Sequence, residues 1–177
     1  NNDILTALDS GSTLNGASGA DTLNGGAGND ILIGGAGADT INGGAGVDTV
    51  SYISAGSAVT INLALTAAQT SGNDGSGDII SNVENLTGSN FNDTLSGNSL
   101  ANAIDGGAGT DTISYAGSSA GVTVDLNLVT AQIGLGDASG DILSNIENIT
   151  GSGFNDNLTA LSAGSVLSGG AGSDILN

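Results

Sequence analysis

An aliphatic residue returns every ninth position through much of the chain. The series runs Leu14, Leu23, Leu32, Ile41 and Val50, then Leu95, Ile104 and Ile113, then Leu158, Leu167 and Leu176. Around each one the side chains alternate for three or four positions, as in Asp30-Ile31-Leu32-Ile33, a pattern that predicts a very short strand with one residue facing inward. Asn15-Gly16, Asn24-Gly25 and Asn42-Gly43 predict tight turns at the strand exits. One inward aliphatic per strand and turn predicts that two such units close a coil, with two ladders of Leu and Ile facing each other across a thin core. The expected fold class is all-β, a parallel solenoid.

The period is carried by whole words. Read in nines from Gly16, the chain gives GASGADTLN, GGAGNDILI, GGAGADTIN and GGAGVDTVS without a gap to Ser51. GGAGTDTIS (106–114) and GGAGSDILN (169–177) are further copies, and GSNFNDTLS (88–96) and GSGFNDNLT (151–159) are variants. Such a period is the mark of a repeat architecture. A second period of seven nines lies over the first: VTINL (59–63) returns as VTVDL (122–126), and GDIISNVENLTGSNFND (77–93) as GDILSNIENITGSGFND (140–156). The expected organisation is one continuous solenoid. Repeat blocks occupy 1–51, 88–114 and 151–177, and diverged spacers at 52–87 and 115–150 continue the coil. Both termini fall inside the repeat without a polar cap, which repeat proteins normally need. The expectation is an excerpt of a longer array or a subunit whose ends stack on neighbours.

Charge changes the picture next. The 177 residues carry 18 acids and no Lys, Arg or His, a formal net charge of −18, and Pro, Cys, Met and Trp are absent. High charge with few aromatics is also the signature of disorder, but the strict period argues against it. Without basic residues a nucleic-acid surface is excluded, as are Ser-His-Asp and Cys-His catalysis and His or Cys zinc sites. No apolar run is long enough for a membrane helix. Coils stacked ~4.8 Å apart bring like-charged Asp side chains together, at a cost of about 1 kcal/mol per neighbour even at the dielectric constant of water. The compensating charge must come from outside, as an oxygen-preferring cation.

GGAGNDILI and its copies resemble the glycine- and aspartate-rich nonapeptide of the RTX (hemolysin-type) calcium-binding family, whose GGxGxDxUx repeat builds a parallel β-roll or β-helix. The resemblance implies Ca²⁺ bound between coils in the Gly/Asp turns. It also implies the ligands: the first and third carbonyls plus the Asp of one turn, and the second and fourth carbonyls plus the Asp of the turn eighteen residues on. On this chain the Asp pairs at that spacing are Asp3–Asp21, Asp21–Asp39, Asp30–Asp48, Asp93–Asp111 and Asp156–Asp174. The implied carbonyl donors are Gly25, Ala27, Gly44 and Gly46 around Asp30–Asp48, with Gly35 and Gly37 serving Asp39. Gly88, Asn90, Gly107 and Gly109 fall around Asp93–Asp111, and Gly151, Gly153, Gly170 and Gly172 around Asp156–Asp174. An all-oxygen shell with flexible coordination favours Ca²⁺ over Mg²⁺.

In the spacers, Asp74 and Asp78, and again Asp137 and Asp141, sit in Gly-rich loops that fit either a further Ca²⁺ or a solvated surface. Glu84 and Glu147 continue the sixth position and are expected to stack along the coil. Tyr52, Tyr115, Phe91 and Phe154 are expected to cover the core. Catalysis is not expected, since the two Glu share one sequence context and nothing would set their pKa values apart. The resemblance implies a secreted protein, extracellular or on a bacterial cell surface, that folds when it meets Ca²⁺. One expected role is a rigid structural rod that assembles head-to-tail into a filament or surface layer. The alternative is a folding and secretion module of a larger toxin, protease or lipase. End-to-end self-association is the expected partnership, with no nucleic acid, membrane insertion or small-molecule substrate.

Overall fold

The structure is a computed structural model that describes residues 1–70, 73–161 and 164–177. Of the sequence motifs above, Gly72 in the first spacer loop and Ser162 and Ala163 in the last block lie outside the described residues.

Short strands follow the nine-residue rhythm. The first block forms β1 (Ile4–Thr6), β2 (Thr13–Asn15), β3 (Thr22–Ala27), β4 (Ile31–Ile33), β5 (Thr40–Ala45) and β6 (Thr49–Ser51). The first spacer adds β7 (Thr60–Asn62), β8 (Ile79–Ser81) and β9 (Asn85–Thr87). The second block follows with β10 (Thr94–Ser96), β11 (Ala103–Asp105) and β12 (Thr112–Ser114). Next come β13 (Thr123–Asp125), β14 (Ile142–Ser144) and β15 (Asn148–Thr150), then β16 (Asn157–Thr159), β17 (Leu167–Ser168) and β18 (Ile175–Leu176). Every pairing between them is parallel. Within the blocks Leu23 lies beside Ile41 and Leu32 beside Val50, one coil being two nonapeptides. The fold is the parallel β-roll.

Two facing ladders do not run the whole length, however. The strands form four sheets, ordered β1-β3-β5-β8, β2-β4-β6-β9-β11-β14, β7-β10-β12-β15-β17 and β13-β16-β18. In the first block the chain alternates between the first and second sheets. After the first spacer it alternates between the second and third, and after the second spacer between the third and fourth. Each spacer coil has three strands: β7 opens a new sheet, β8 ends an old one, and β9 continues the shared one. Ile41 therefore pairs with Ile80, Val50 with Leu86 and Ile61 with Leu95, spacings that differ from the eighteen of the blocks. The second spacer repeats the pattern with Ile104–Leu143, Ile113–Ile149 and Val124–Leu158.

A sheet that begins in mid-chain has an open edge, and the spacers cover it with a glutamine. The Asn62 N–H donates to Gln69 Oε1 at 2.9 Å, and Gln69 Nε2 donates to the Asn62 carbonyl at 2.9 Å. Gln132 does the same for Asp125, at 2.8 and 3.0 Å. The amide stands in for one residue of a missing strand, a way of blunting the edge against foreign pairing.

The eighth-position aliphatics other than Leu176 form one contiguous core with Tyr52, Val59, Tyr115 and Val122. Leu14 and Leu167 are partly buried and Leu176 is half exposed, because an outer coil has a neighbour on one side only. Phe91 and Phe154 do not cover the core as expected; they are 44% and 49% exposed. Both occupy the fourth position of a turn, between strands, where no inward face exists. Truncating the inner ladder is expected to be costly: Ile113→Ala should lose ~2–5 kcal/mol, while Leu176→Ala stays within ~1 kcal/mol. Denaturant unfolding of both variants in Ca²⁺ checks the contrast.

Candidate calcium sites

The sixth residue of each nonapeptide stands immediately before its strand. Its carbonyl joins the ladder, as Asp21 O accepts from the Thr40 N–H and Asp30 O from the Thr49 N–H, each at 2.8 Å. Its N–H has no strand partner and is met instead by the carboxylate one coil further on. The Asp3 N–H donates to Asp21 Oδ1 at 2.7 Å, Asp21 to Asp39 at 2.8 Å and Asp30 to Asp48 at 2.8 Å. Asp93 donates to Asp111 at 2.7 Å and Asp156 to Asp174 at 3.0 Å. The five pairs at a spacing of eighteen are thus stacked neighbours. The spacers extend the series through Asp39 to Asp78, Asp48 to Glu84 and Val59 to Asp93, and again through Asn102 to Asp141, Asp111 to Glu147 and Val122 to Asp156. Glu84 and Glu147 stack along the coil in this way.

The second carboxylate oxygen tells the turns apart. At Asp21, Asp30, Asp39, Asp48 and Asp111 the Oδ2 atom is buried with no hydrogen-bond partner. Each lies over the first glycine of its own turn, so closely that a Cβ on Gly16, Gly25, Gly34, Gly43 or Gly106 would collide with it. These turns share a backbone: the second and fourth residues have positive φ, as at Gly26 and Gly28 (86° and 112°), Gly44 and Gly46 (104° and 136°) and Gly107 and Gly109 (93° and 141°). Gly35 and Gly37 conform, as do Gly170 and Gly172 before the partly buried Asp174, and Ala17 takes the second position of the first such turn at 69°. We call this turn a cradle.

The GSxFND turns differ. The Asp93 carboxylate accepts the Ser89 N–H, the Ser89 hydroxyl at 2.8 Å and the Val59 N–H at 2.8 Å. Asp156 accepts the Ser152 N–H, the Ser152 hydroxyl and the Val122 N–H, each at 2.7 Å. Neither turn, Gly88 to Asn90 or Gly151 to Gly153, has a residue with positive φ. Two of the spacer acids, Asp78 and Asp141, are also paired. Tyr52 and Tyr115 donate their hydroxyls to Asp78 Oδ2 and Asp141 Oδ2, each at 2.8 Å. Asp74 and Asp137 stand in one-turn 3₁₀ helices at Asn73–Gly75 and Gly136–Ala138, half-buried. The roles of Ser89, Ser152, Tyr52 and Tyr115 were missed in the sequence; the one signal was the joint loss of the second and fourth glycines in both GSxFND copies.

Electrostatics follow from burial. Desolvation raises Asp39 and Asp48 above the usual carboxylate range, and the charges of Asp21 and Asp74, and of Asp30 and Glu84, add to it. The same burial pushes Asp111 up to about 6, partly opposed by the Asp93 N–H. Asp78 and Asp141 also reach about 6, against the pull of an amide and a tyrosine hydroxyl. A buried, unpaired carboxylate oxygen is costly unless a cation meets it. Among the described residues no three acidic side chains converge on one point, so main-chain carbonyls must supply most of any shell. Oxygen donors of this kind suit Ca²⁺.

A parallel roll whose turns leave buried carboxylate oxygens free, in a chain with no basic side chain, defines a metal-binding repeat protein. The model of the RTX calcium-binding nonapeptide repeat matches four times, at residues 1–32, 15–50, 83–117 and 150–177, and the chain belongs to that family. Its repeats bind Ca²⁺ at several sites. No curated protein matches the chain.

Proposed function

We propose that the chain is an extracellular structural segment, set rigid by Ca²⁺ after secretion, in which the cradle turns hold the metal. The observation that carries this reading is the set of five buried Oδ2 atoms without a donor among the described residues, in a chain without a single basic side chain. The cradles of Asp21, Asp30, Asp39, Asp48 and Asp111 would hold the ion, with carbonyls of the stacked glycines completing the shell. When bound, Ca²⁺ supplies positive charge that turns repulsion between successive Asp residues into attraction.

The rod reading rests on the ladder, which passes from block to block through both spacers by shared sheets. An open parallel edge at β1 and β2, or at β17 and β18, would accept a further coil of the same array or of a second chain. A head-to-tail contact of that kind is heterologous and builds an open filament. The test is a Ca²⁺ titration followed by circular dichroism and sedimentation. The melting temperature of the β structure should rise with Ca²⁺ and fall on chelation, and assemblies should form only in the loaded state. A melting temperature unmoved by Ca²⁺ would refute the calcium-set rod, and monomers in both conditions would refute assembly.

A further inference from the structure

The cradle and GSxFND turns occupy the same place in the repeat and carry the same Asp, yet they treat it differently. The difference lies in the second-position amide. In GSxFND turns the Ser89 and Ser152 amides point inward and bond the sixth-position side chain. Two turns with a neutral sixth residue show the same contact: the Asn98 N–H donates to Asn102 Oδ1 at 2.8 Å, and the Leu161 N–H to Ser165 Oγ at 3.1 Å. None of these second residues has positive φ. In the cradles the second residue is left-handed and its amide makes no bond to the Asp. The Ala17 and Gly107 amides turn back to Asn15 Oδ1 and Asp105 Oδ1 instead. The inward amide closes the turn on its own carboxylate, and the left-handed one leaves an oxygen free.

We propose, building on the calcium reading above, that Ser89 and Ser152 are built-in caps that take the place of Ca²⁺ at Asp93 and Asp156, so that metal binds only at the carboxylates of cradle turns. A carboxylate that already accepts two amides and a hydroxyl has its acceptor positions taken by those donors. It has no orphaned oxygen for a cation to satisfy, and a metal would have to displace three good hydrogen bonds. The Phe at the fourth position reinforces the choice, since Phe91 and Phe154 do not take the positive φ that a cradle requires. Calcium dependence is therefore uneven along the roll. Among the described residues, four of the five orphaned carboxylates lie in the first block and Asp111 lies beyond it.

The experiment counts bound Ca²⁺ by equilibrium dialysis on the full chain and pairs the count with melting curves in Ca²⁺ and in chelator. Asp30→Asn and Asp48→Asn should each bind less Ca²⁺ than the wild type, and their loss of melting temperature should appear only when Ca²⁺ is present. Asp93→Asn and Asp156→Asn should bind as much Ca²⁺ as the wild type and melt lower by the same amount in both conditions. Loss of bound Ca²⁺ in either of these overturns the proposal while leaving calcium binding intact. A wild-type chain that binds none would instead sink the reading on which it rests. Should Asp93→Asn fail to fold, Ser89→Ala decides: bound Ca²⁺ equal to or above that of the wild type supports the cap, and a fall in bound Ca²⁺ overturns it.

Discussion

Alanine at Gly37 is expected to disrupt the first block even in saturating Ca²⁺. Gly37 adopts φ of 140°, and a Cβ there would fall on the carbonyl oxygen of Gly19 in the coil below. The obstacle is backbone held by the parallel ladder, so no side chain can swing away to relieve it. Both the strained dihedral and the collision act at one site, and the loss should reach at least about 4 kcal/mol, the upper end for single substitutions. The carbonyls of the Asp21–Asp39 stack would be displaced together, so bound Ca²⁺ should fall as well. Gly153→Ala is the control. It lacks positive φ, no atom lies within 4 Å of the added Cβ, and its effect should stay within ~0.5 kcal/mol. Melting temperatures of the two variants in Ca²⁺ settle the comparison.

The response to pH is expected to change sign with calcium. Without metal, burial lifts Asp78, Asp111 and Asp141 from 3.8 to about 6 in the folded chain. Between those values the folded state binds more protons than the unfolded one. The stabilisation is therefore full below about 3.8 and is lost as the pH rises through about 6, on the order of 1–3 kcal/mol for a well-buried group. In chelator the melting temperature should climb as the pH is lowered from 7 towards 4.5. With Ca²⁺ bound the cradle carboxylates must be ionised to serve as ligands, and protons compete with the metal. The loaded protein should therefore lose stability over the same descent. Melting curves against pH in chelator and in Ca²⁺ read this directly, and slopes of one sign in both would contradict it.

Much of this architecture is written in the period. Leu32 meets Val50, and Asp30 meets Asp48, because each nonapeptide rests on the one two units later. A contact of fixed spacing appears in the chain as a word repeated at that spacing. The inward aliphatic, the turn glycines and the stacked acids could all be placed from the sequence for the same reason. So could the need for an external cation, since −18 with no basic residue is a property of composition.

The tertiary structure decided what repetition cannot express. The change of sheets at each spacer depends on which distant strand β8 or β14 reaches, and the spacing there, 39 residues at Asp39–Asp78 and Asn102–Asp141, is no multiple of nine. The tyrosine hydroxyls close on Asp78 and Asp141 across 26 residues, through a loop with no periodic signal. Most of all, the sequence shows the same Asp in GGxGxD and GSxFND, and the direction of the second-position amide, with the serine hydroxyl beside it, separates an orphaned oxygen from a capped one. Identity and spacing of residues determine which groups stack. Whether a buried carboxylate still needs a cation is determined by the donors that the folded backbone aims at it, and those exist only once the coil has closed.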